Sequence, residues 1–287
     1  MLDCIVIGSG VAGISAALTL RANGKSFRLF GSPNLSEKIA RAERIENYPG
    51  LSSVSGAEFV VALKKQLAGA EITVENERIN GVFAMGDTVN VALQNGEILT
   101  AKTVILACGV ESVKQIEGEE KFLGRGVSYC ATCDGFLYKD KTIMVVSTSK
   151  TFEHEVAYLA GIAKKVWFIP LYKNAEIEAE NVEKTVRMPK EIYGEKRVLG
   201  VAFEKKGERE EIAVDGVFIL KESLPPSALV GGLETAEGHV VVDRQMRTNL
   251  KGIFAAGDCT GRPYQYAKAT GEGNVAAHSV SAYCAKK

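Results

Sequence analysis

The chain has 287 residues, with 35 Lys+Arg balanced by 35 Asp+Glu, so bulk charge points to neither nucleic acid nor a membrane surface as a partner. An apolar fraction of 46% beside 24% charged residues describes a globular chain of one large or two modest domains and excludes a disordered one. No apolar run approaches the roughly 20 residues of a membrane span, and MLDCIVIGSG has no basic leader segment, so a cytoplasmic protein without a signal peptide is expected.

Residues 3–30, DCIVIGSGVAGISAALTLRANGKSFRLF, have the pattern of an apolar strand, a glycine turn, a helical face and a second short strand. In Gly8-x-Gly10-x-x-Gly13 the first glycine permits the tight turn and the second lets a pyrophosphate approach. The third lets helix and sheet pack closely. This context points to dinucleotide binding. The acidic residue expected about 20 positions later for the ribose is missing, because the second strand ends Phe30-Gly31-Ser32. A helix is predicted over Gly56 to Leu67, then strands around Val82, Val91 and Ile98 with turns at Gly86-Asp87 and Asn95-Gly96. TVILACG (103–109) closes this set as a further strand.

Cys130-Ala131-Thr132-Cys133-Asp134 comes next, and Cys130 and Cys133 are the one closely spaced pair among six cysteines. A C-x-x-C pair can close a small disulfide ring, and one of its thiolates can be stabilised enough to attack at neutral pH. A neighbouring carboxyl can move the proton that dithiol–disulfide exchange requires. Half a zinc site is the competing reading, but zinc needs two more ligands and no second C-x-x-C or H-x-x-x-H occurs. No metal is expected. Cys4, Cys108, Cys259 and Cys284 read as packing residues, and His154, His239 and His278 share no spacing.

Residues 143–170, IMVVSTSKTFEHEVAYLAGIAKKVWFIP, lie on the first unit without gaps. Ser147 falls on Gly8, Ser149 on Gly10, Phe152 on Gly13, Lys164 on Lys25 and Phe168 on Leu29. Two copies of one architecture are implied, the second without its glycines. Strands follow near Val198–Phe203, Glu211–Val214 and 216–220, and Leu224-Pro225-Pro226 reads as a loop. The tail is one more strand, a polar turn and a long helix, and it best completes the first sheet. The expected fold is therefore α/β, with two Rossmann-like, three-layer domains of the FAD/NAD-binding type, the second inserted in the first. Residues 1–109 and 240–287 form one, and 110–239 the other. Within the tail, Ala255-Ala256-Gly257-Asp258 stands where a strand passes to a helix, and such a Gly-Asp pair can hydrogen-bond a flavin's ribityl chain.

Together, GSGVAG, ENYPG (46–50), GRGVSYCATCDG (124–135), FAAGD (254–258) and ATGEGNVAA (269–277) resemble the low-molecular-weight thioredoxin reductase family over nearly the whole chain. The resemblance implies a homodimer with an FAD domain split around a smaller central domain, and thioredoxin as a partner. It implies FAD contacts from Gly8, Gly10 and Gly13, from Asn47 and Gly109, and from Gly257, Asp258, Tyr266 and Ala267. It also implies that Cys133 faces the flavin, that Cys130 attacks the partner disulfide, and that Asp134 serves as acid/base.

Departures from the family pattern are informative. Members that use NADPH carry a glycine-rich turn in the central domain and a His-Arg-Arg stretch after its next strand. Here the turn is VSTSKT followed by Phe152, and the strand runs into FIPLYKN, leaving Lys173 as the remaining cation. Charge-assisted hydrogen bonds contribute about 1.5–3 kcal/mol each, so losing two lowers affinity on the order of 10²–10⁴. The flavin-side glycines after the second strand are replaced by SPNLSEK (32–38), and Tyr266 stands where NADPH-dependent relatives usually have a glutamine, placed to stack on or cover the flavin. This profile is similar to the ferredoxin-dependent flavin thioredoxin reductases, which keep the CxxC and lack the pyridine-nucleotide site. An acidic ferredoxin needs a basic docking patch; Lys38, Arg41 and Arg44 at helical spacing are one candidate, and Arg244, Arg247, Arg262 and Lys268 another. A dithiol oxidase using oxygen, an NADPH-dependent reductase with a degenerate site, and a flavoprotein kept as a binding module remain as alternatives.

Overall fold

The computed structural model describes residues 1–110, 116–205, 207–221 and 224–285. The chain forms two compact units, Met1–Val110 with Pro225–Lys287, and Glu111–Leu224. In chain order the first begins with β1 (Leu2–Ile7), α1 (Val11–Ala22), β2 (Phe27–Phe30), α2 (Glu37–Ala40) and α3 (Gly56–Gly69). It continues through β3 (Val74–Glu75), β4 (Ile79–Met85), β5 (Thr88–Leu93) and β6 (Ile98–Leu106). The second holds β7 (Val127–Ser128), α4 (Ala131–Asp134), β8 (Thr142–Ser147), α5 (Glu153–Ala160), β9 (Lys165–Pro170) and β10 (Val182–Lys184). It ends with β11 (Glu191–Gly194), β12 (Val198–Lys205), β13 (Glu208–Ala213) and β14 (Gly216–Leu220). The chain then returns to the first unit through α6 (Pro226–Leu229), β15 (Thr235–Ala236), β16 (His239–Val240), β17 (Ile253–Ala255) and α7 (Tyr266–Ala285).

In the first unit the strand order is β3-β2-β1-β6-β5-β4, with β17 also on β6. β1 is central and buried over Cys4–Ile7, which is why it reads as a continuous apolar run instead of an alternating one. The nine residues of β6 serve two neighbours on one side. Its start pairs antiparallel with β5, as in Val91↔Leu99, and its end pairs parallel with β17, as in Phe254↔Ile105. The sequence pieces around Ile98 and 103–109 are thus one strand. α1 ends in a glycine stop: Gly24 has φ +64°, and Lys25 N–H bonds the Leu20 carbonyl at 3.0 Å. α3 starts with a capping box in which Ser55 accepts from Glu58 N–H while Glu58 accepts from Ser55 N–H. α7 lies against α1 at close range: Ser15 Oγ donates to the Thr270 carbonyl at 2.7 Å, and a Cβ on Gly273 would stand 2.1 Å from the Ala12 carbonyl oxygen.

The second unit has a parallel sheet in the order β10-β9-β8-β14-β7 and a separate antiparallel sheet β11-β12-β13. Its ladders repeat those of the first unit. Cys4↔Phe27 and Ile7↔Phe30 in β1–β2 have as counterparts Ile143↔Val166 and Val146↔Ile169 in β8–β9, the pairs that the ungapped sequence match superposes. The helix differs. A 3-10 turn at Lys150–Phe152 precedes an α5 of eight residues, and Phe152 packs into the core with Val145, Val156 and Phe168.

Residues 225–239, placed with the central domain by the sequence, group with the first unit instead. Val230 is 1% exposed and bridges Val82 on β4, also 1% exposed, so this stretch finds its apolar partner on the first sheet. Among the described residues no helix is long and apolar enough to cross a membrane.

Candidate active site

The CxxC motif leaves the end of β7 as the single turn α4. Cys130 and Cys133 form a disulfide with Cα atoms 5.3 Å apart, and Cys133 N–H points at the Cys130 sulfur at 3.2 Å. Ser128 organises the approach: its Oγ lies 2.6 Å from Asp134 Oδ2 as donor and accepts from Cys130 N–H at 3.1 Å. Gly135 lets the motif lie on α5, since a Cβ there would come within 3.0 Å of the Leu159 and Tyr158 side chains. Cys133 is exposed and Cys130 half-buried. The two thiols and the carboxyl named from the sequence are therefore together, with Ser128 as an organiser that the sequence did not single out. Phe136 and Leu137, 73% and 65% exposed, follow directly.

The glycine turn of the first unit assigns each glycine a distinct job. Gly8 has φ +118°, and a Cβ on it would stand 2.2 Å from the Ala107 carbonyl oxygen. A Cβ on Gly13 would stand 1.8 Å from the Gly8 carbonyl oxygen, which leaves no side chain but hydrogen where α1 crosses β1. Around Gly10, the cap of α1, a Cβ would meet nothing within 4 Å. That open side lets an anion approach backbone N–H groups at the positive end of a helix. Gly109 is similarly open, with φ +68°.

Gly257, with φ +91°, turns the chain after β17 into the 3-10 turn Asp258–Thr260. Burial pushes the Asp258 carboxyl up from the ordinary carboxylate range, against the opposing pull of Lys38 and Lys268. No side chain among the described residues hydrogen-bonds that carboxylate. Two α7 residues hold this turn. Glu272 Oε2 accepts from Gly257 N–H and Thr260 Oγ1, both at 2.8 Å, and Lys268 Nζ donates to the carbonyls of Gly257 (2.9 Å) and Gly261 (2.7 Å). The sequence reading missed Glu272, although an i,i+4 Lys–Glu pair behind a polar turn is a usable signal. Asn47 Nδ2 donates to Gln265 Oε1 at 2.7 Å, which brings the ENYPG segment to the start of α7 beside Tyr266 and the exposed Ala267. The Tyr266 ring meets Phe59 edge-on, with centroids 6.0 Å apart.

The helical spacing expected for the first basic patch is not kept, and members of both patches already have partners. α2 ends at Ala40, so Lys38, Arg41 and Arg44 do not share a helical face, and Lys38 Nζ donates to the Val110 carbonyl. Lys268 is spent on the turn just described, and Arg247 faces Asp243 at 4.0 Å. Cys4, Cys259 and Cys284 are buried as packing residues, and burial pushes the Cys259 thiol up to about 12. No cluster of three or more His, Cys, Asp or Glu able to hold a metal occurs among the described residues.

The model of the pyridine nucleotide-disulphide oxidoreductase family matches residues 2–151 and 172–273. The thioredoxin reductase of Treponema pallidum is 32% identical, over 98% of this chain and 96% of its own length. That of Helicobacter pylori is 33% identical, over 99% of each. A crystal structure of a ferredoxin-flavin thioredoxin reductase from Clostridium acetobutylicum is 43% identical with a TM-score of 0.89, covering 100% of this chain and 99% of that one. The chain belongs to the pyridine nucleotide-disulphide oxidoreductase family, among its FAD-dependent thioredoxin reductases.

Proposed function

We propose that this enzyme reduces the disulfide of thioredoxin with electrons from reduced ferredoxin, and that it makes no use of a pyridine nucleotide. One observation carries the reading: the nucleotide turn of the second unit is Ser147-Thr148-Ser149-Lys150-Thr151-Phe152, with Phe152 only 8% exposed in the core. The similarity to a ferredoxin-flavin thioredoxin reductase along the whole chain supports it. So do the energetics, since plant-type ferredoxins near −400 mV and thioredoxin near −270 mV differ by about 6 kcal/mol for two electrons.

The first unit fits FAD. The open face of Gly10 and the N-terminus of α1 suit the pyrophosphate, with Gly8 and Gly13 shaping the turn. Asp258, half-buried with no side chain hydrogen-bonded to its carboxylate, suits the ribityl hydroxyls; Asn47, Gly109, Tyr266 and Ala267 are assigned to the rest of the cofactor. Bound there, FAD supplies chemistry that accepts single electrons and yields them in pairs.

The protein's own residues carry out the exchange with thioredoxin. In the reduced enzyme the Cys130 thiolate attacks one sulfur of the thioredoxin disulfide, forming a mixed disulfide and releasing one thioredoxin thiolate. The Cys133 sulfur then attacks Cys130, re-forms the Cys130–Cys133 disulfide and releases the second thiolate. Asp134, held by Ser128, transfers the proton. Phe136 and Leu137 give an exposed apolar surface beside the motif for a protein substrate.

An anaerobic comparison tests this reading. Reduced ferredoxin is expected to bleach the flavin and generate thioredoxin thiols, and NADPH or NADH to do neither. Thioredoxin reduction with NADPH and none with ferredoxin would sink it. The enzyme is also read as a cytoplasmic homodimer, for which light scattering of the purified protein should give twice the chain mass of 30.8 kDa.

A further inference from the structure

A dinucleotide-binding unit receives its ligand at two places: the N-terminus of the first helix takes the pyrophosphate, and the end of the next strand takes the ribose. In the second unit these two places are joined by the protein itself. Glu153, the first residue of α5, is half-buried, and its Oε1 accepts from the Tyr172 hydroxyl at 3.1 Å and from the Glu176 backbone N–H at 3.0 Å. Tyr172 lies two residues beyond β9, on the segment where a ribose would be read. Lys150, on the turn, pairs with Glu176 at 2.8 Å.

Three backbone donors of the turn are also engaged. Thr148 N–H bonds the Leu220 carbonyl at 2.9 Å, Phe152 N–H the Ser149 carbonyl at 3.2 Å, and Thr151 N–H the Ser149 hydroxyl at 3.4 Å. Burial and the Glu153 carboxylate hold the Tyr172 hydroxyl at about 12, so it remains a donor at neutral pH. In the first unit the position matching Glu153 is Ile14, an apolar residue 1% exposed, and the cap Gly10 is open.

We propose that Glu153 is a specificity-determining residue whose carboxylate stands in for a nucleotide phosphate. It ties the start of α5 to residues 172–176, and its charge turns anions away from the place where a phosphate would settle. This deepens the proposed function, on which it rests, by naming the group that excludes the nucleotide. Loss of the glycines removes favourable contacts; Glu153 adds a repulsive one, and selectivity commonly needs both.

Hydrogen–deuterium exchange on the FAD-loaded protein tests the idea, with millimolar inorganic pyrophosphate as probe. In Glu153→Ala, which loses the hydrogen bonds from both Tyr172 and Glu176, exchange in peptides covering 172–176 should rise about tenfold or more, and pyrophosphate should slow it again. Tyr172→Phe, a milder change, should raise the same exchange but leave pyrophosphate without effect, because the carboxylate remains. Wild-type exchange should not respond to pyrophosphate. Unchanged exchange in Glu153→Ala, or no protection of that variant by pyrophosphate, overturns the proposal, as does protection of Tyr172→Phe. Slowed exchange in the wild type with NADPH would overturn the proposed electron donor together with this proposal, whereas the outcomes with Glu153→Ala and Tyr172→Phe bear on this proposal alone.

Discussion

Glu272 and Asp3 show how much one carboxylate can hold. Glu272 bonds both Gly257 N–H and Thr260 Oγ1, so Glu272→Ala leaves two donors of the Gly257–Gly261 turn without their acceptor. At about 1 kcal/mol or more per bond, FAD affinity should fall on the order of 10–100-fold, measurable as flavin released on dilution. Asp3 is pulled the opposite way from Asp258. Burial alone would raise its carboxyl, but bonds from Lys102 and from the backbone and side chain of Ser26 outweigh that and hold it at about 2. A folded value below the unfolded one of about 3.9 contributes stability that is present above pH ~4 and lost as pH falls toward 2. The gap in melting temperature between wild type and Asp3→Asn should therefore be open at pH 6 and narrow steadily as pH falls from ~4 toward 2.

At the scale of elements, the crossing of α1 over β1 separates two kinds of glycine that look alike in the sequence. Gly13→Ala puts a Cβ into the Gly8 carbonyl and should cost about 1–3 kcal/mol or more of stability. Gly10→Ala meets open space with its backbone at φ −75°, so its melting temperature should barely move. Its FAD affinity should nevertheless drop, because the added methyl occupies the approach to the helix N-terminus. Thermal unfolding and flavin titration of the two variants separate these effects. The ladder register of β8–β9 was legible in advance, because strand pairing in a βαβ unit follows the same apolar spacing in both copies. The short α5 was not. A bulky Phe152 at the close-packing position keeps the turn in 3-10 form and delays the helix by three residues relative to α1.

For the whole molecule, the topology makes the two units unequal. Residues 111–224 are continuous and contain a complete sheet with its own core. The other unit needs β17 and α7 from the far end of the chain to complete β6 and cover α1. A 111–224 fragment is therefore expected to fold alone, with a native-like far-UV spectrum and a reducible Cys130–Cys133 disulfide, and to bind no FAD. Residues 1–110 without the tail should not fold. Unfolded 111–224 under conditions where the full chain is native would contradict this. The electron donor also belongs to this scale, because the nucleotide turn and the CxxC are built on the same small unit.

Sequence alone determined the two βαβ units, their register, the redox cysteine pair and the FAD-type glycine turn. Those signals are local: an apolar period, a glycine where backbone must come close, two thiols three residues apart. Tertiary structure decided what distant side chains do to one another. Residues 225–239 joined the first unit because Val230 finds Val82 there, and Lys268 was drawn from a surface patch into the Gly257–Gly261 turn. Glu153 met Tyr172 and Glu176 across the nucleotide place. Hydrogen bonds and apolar contacts of this kind depend on positions in space that only the packed chain sets, and no spacing along the sequence encodes them.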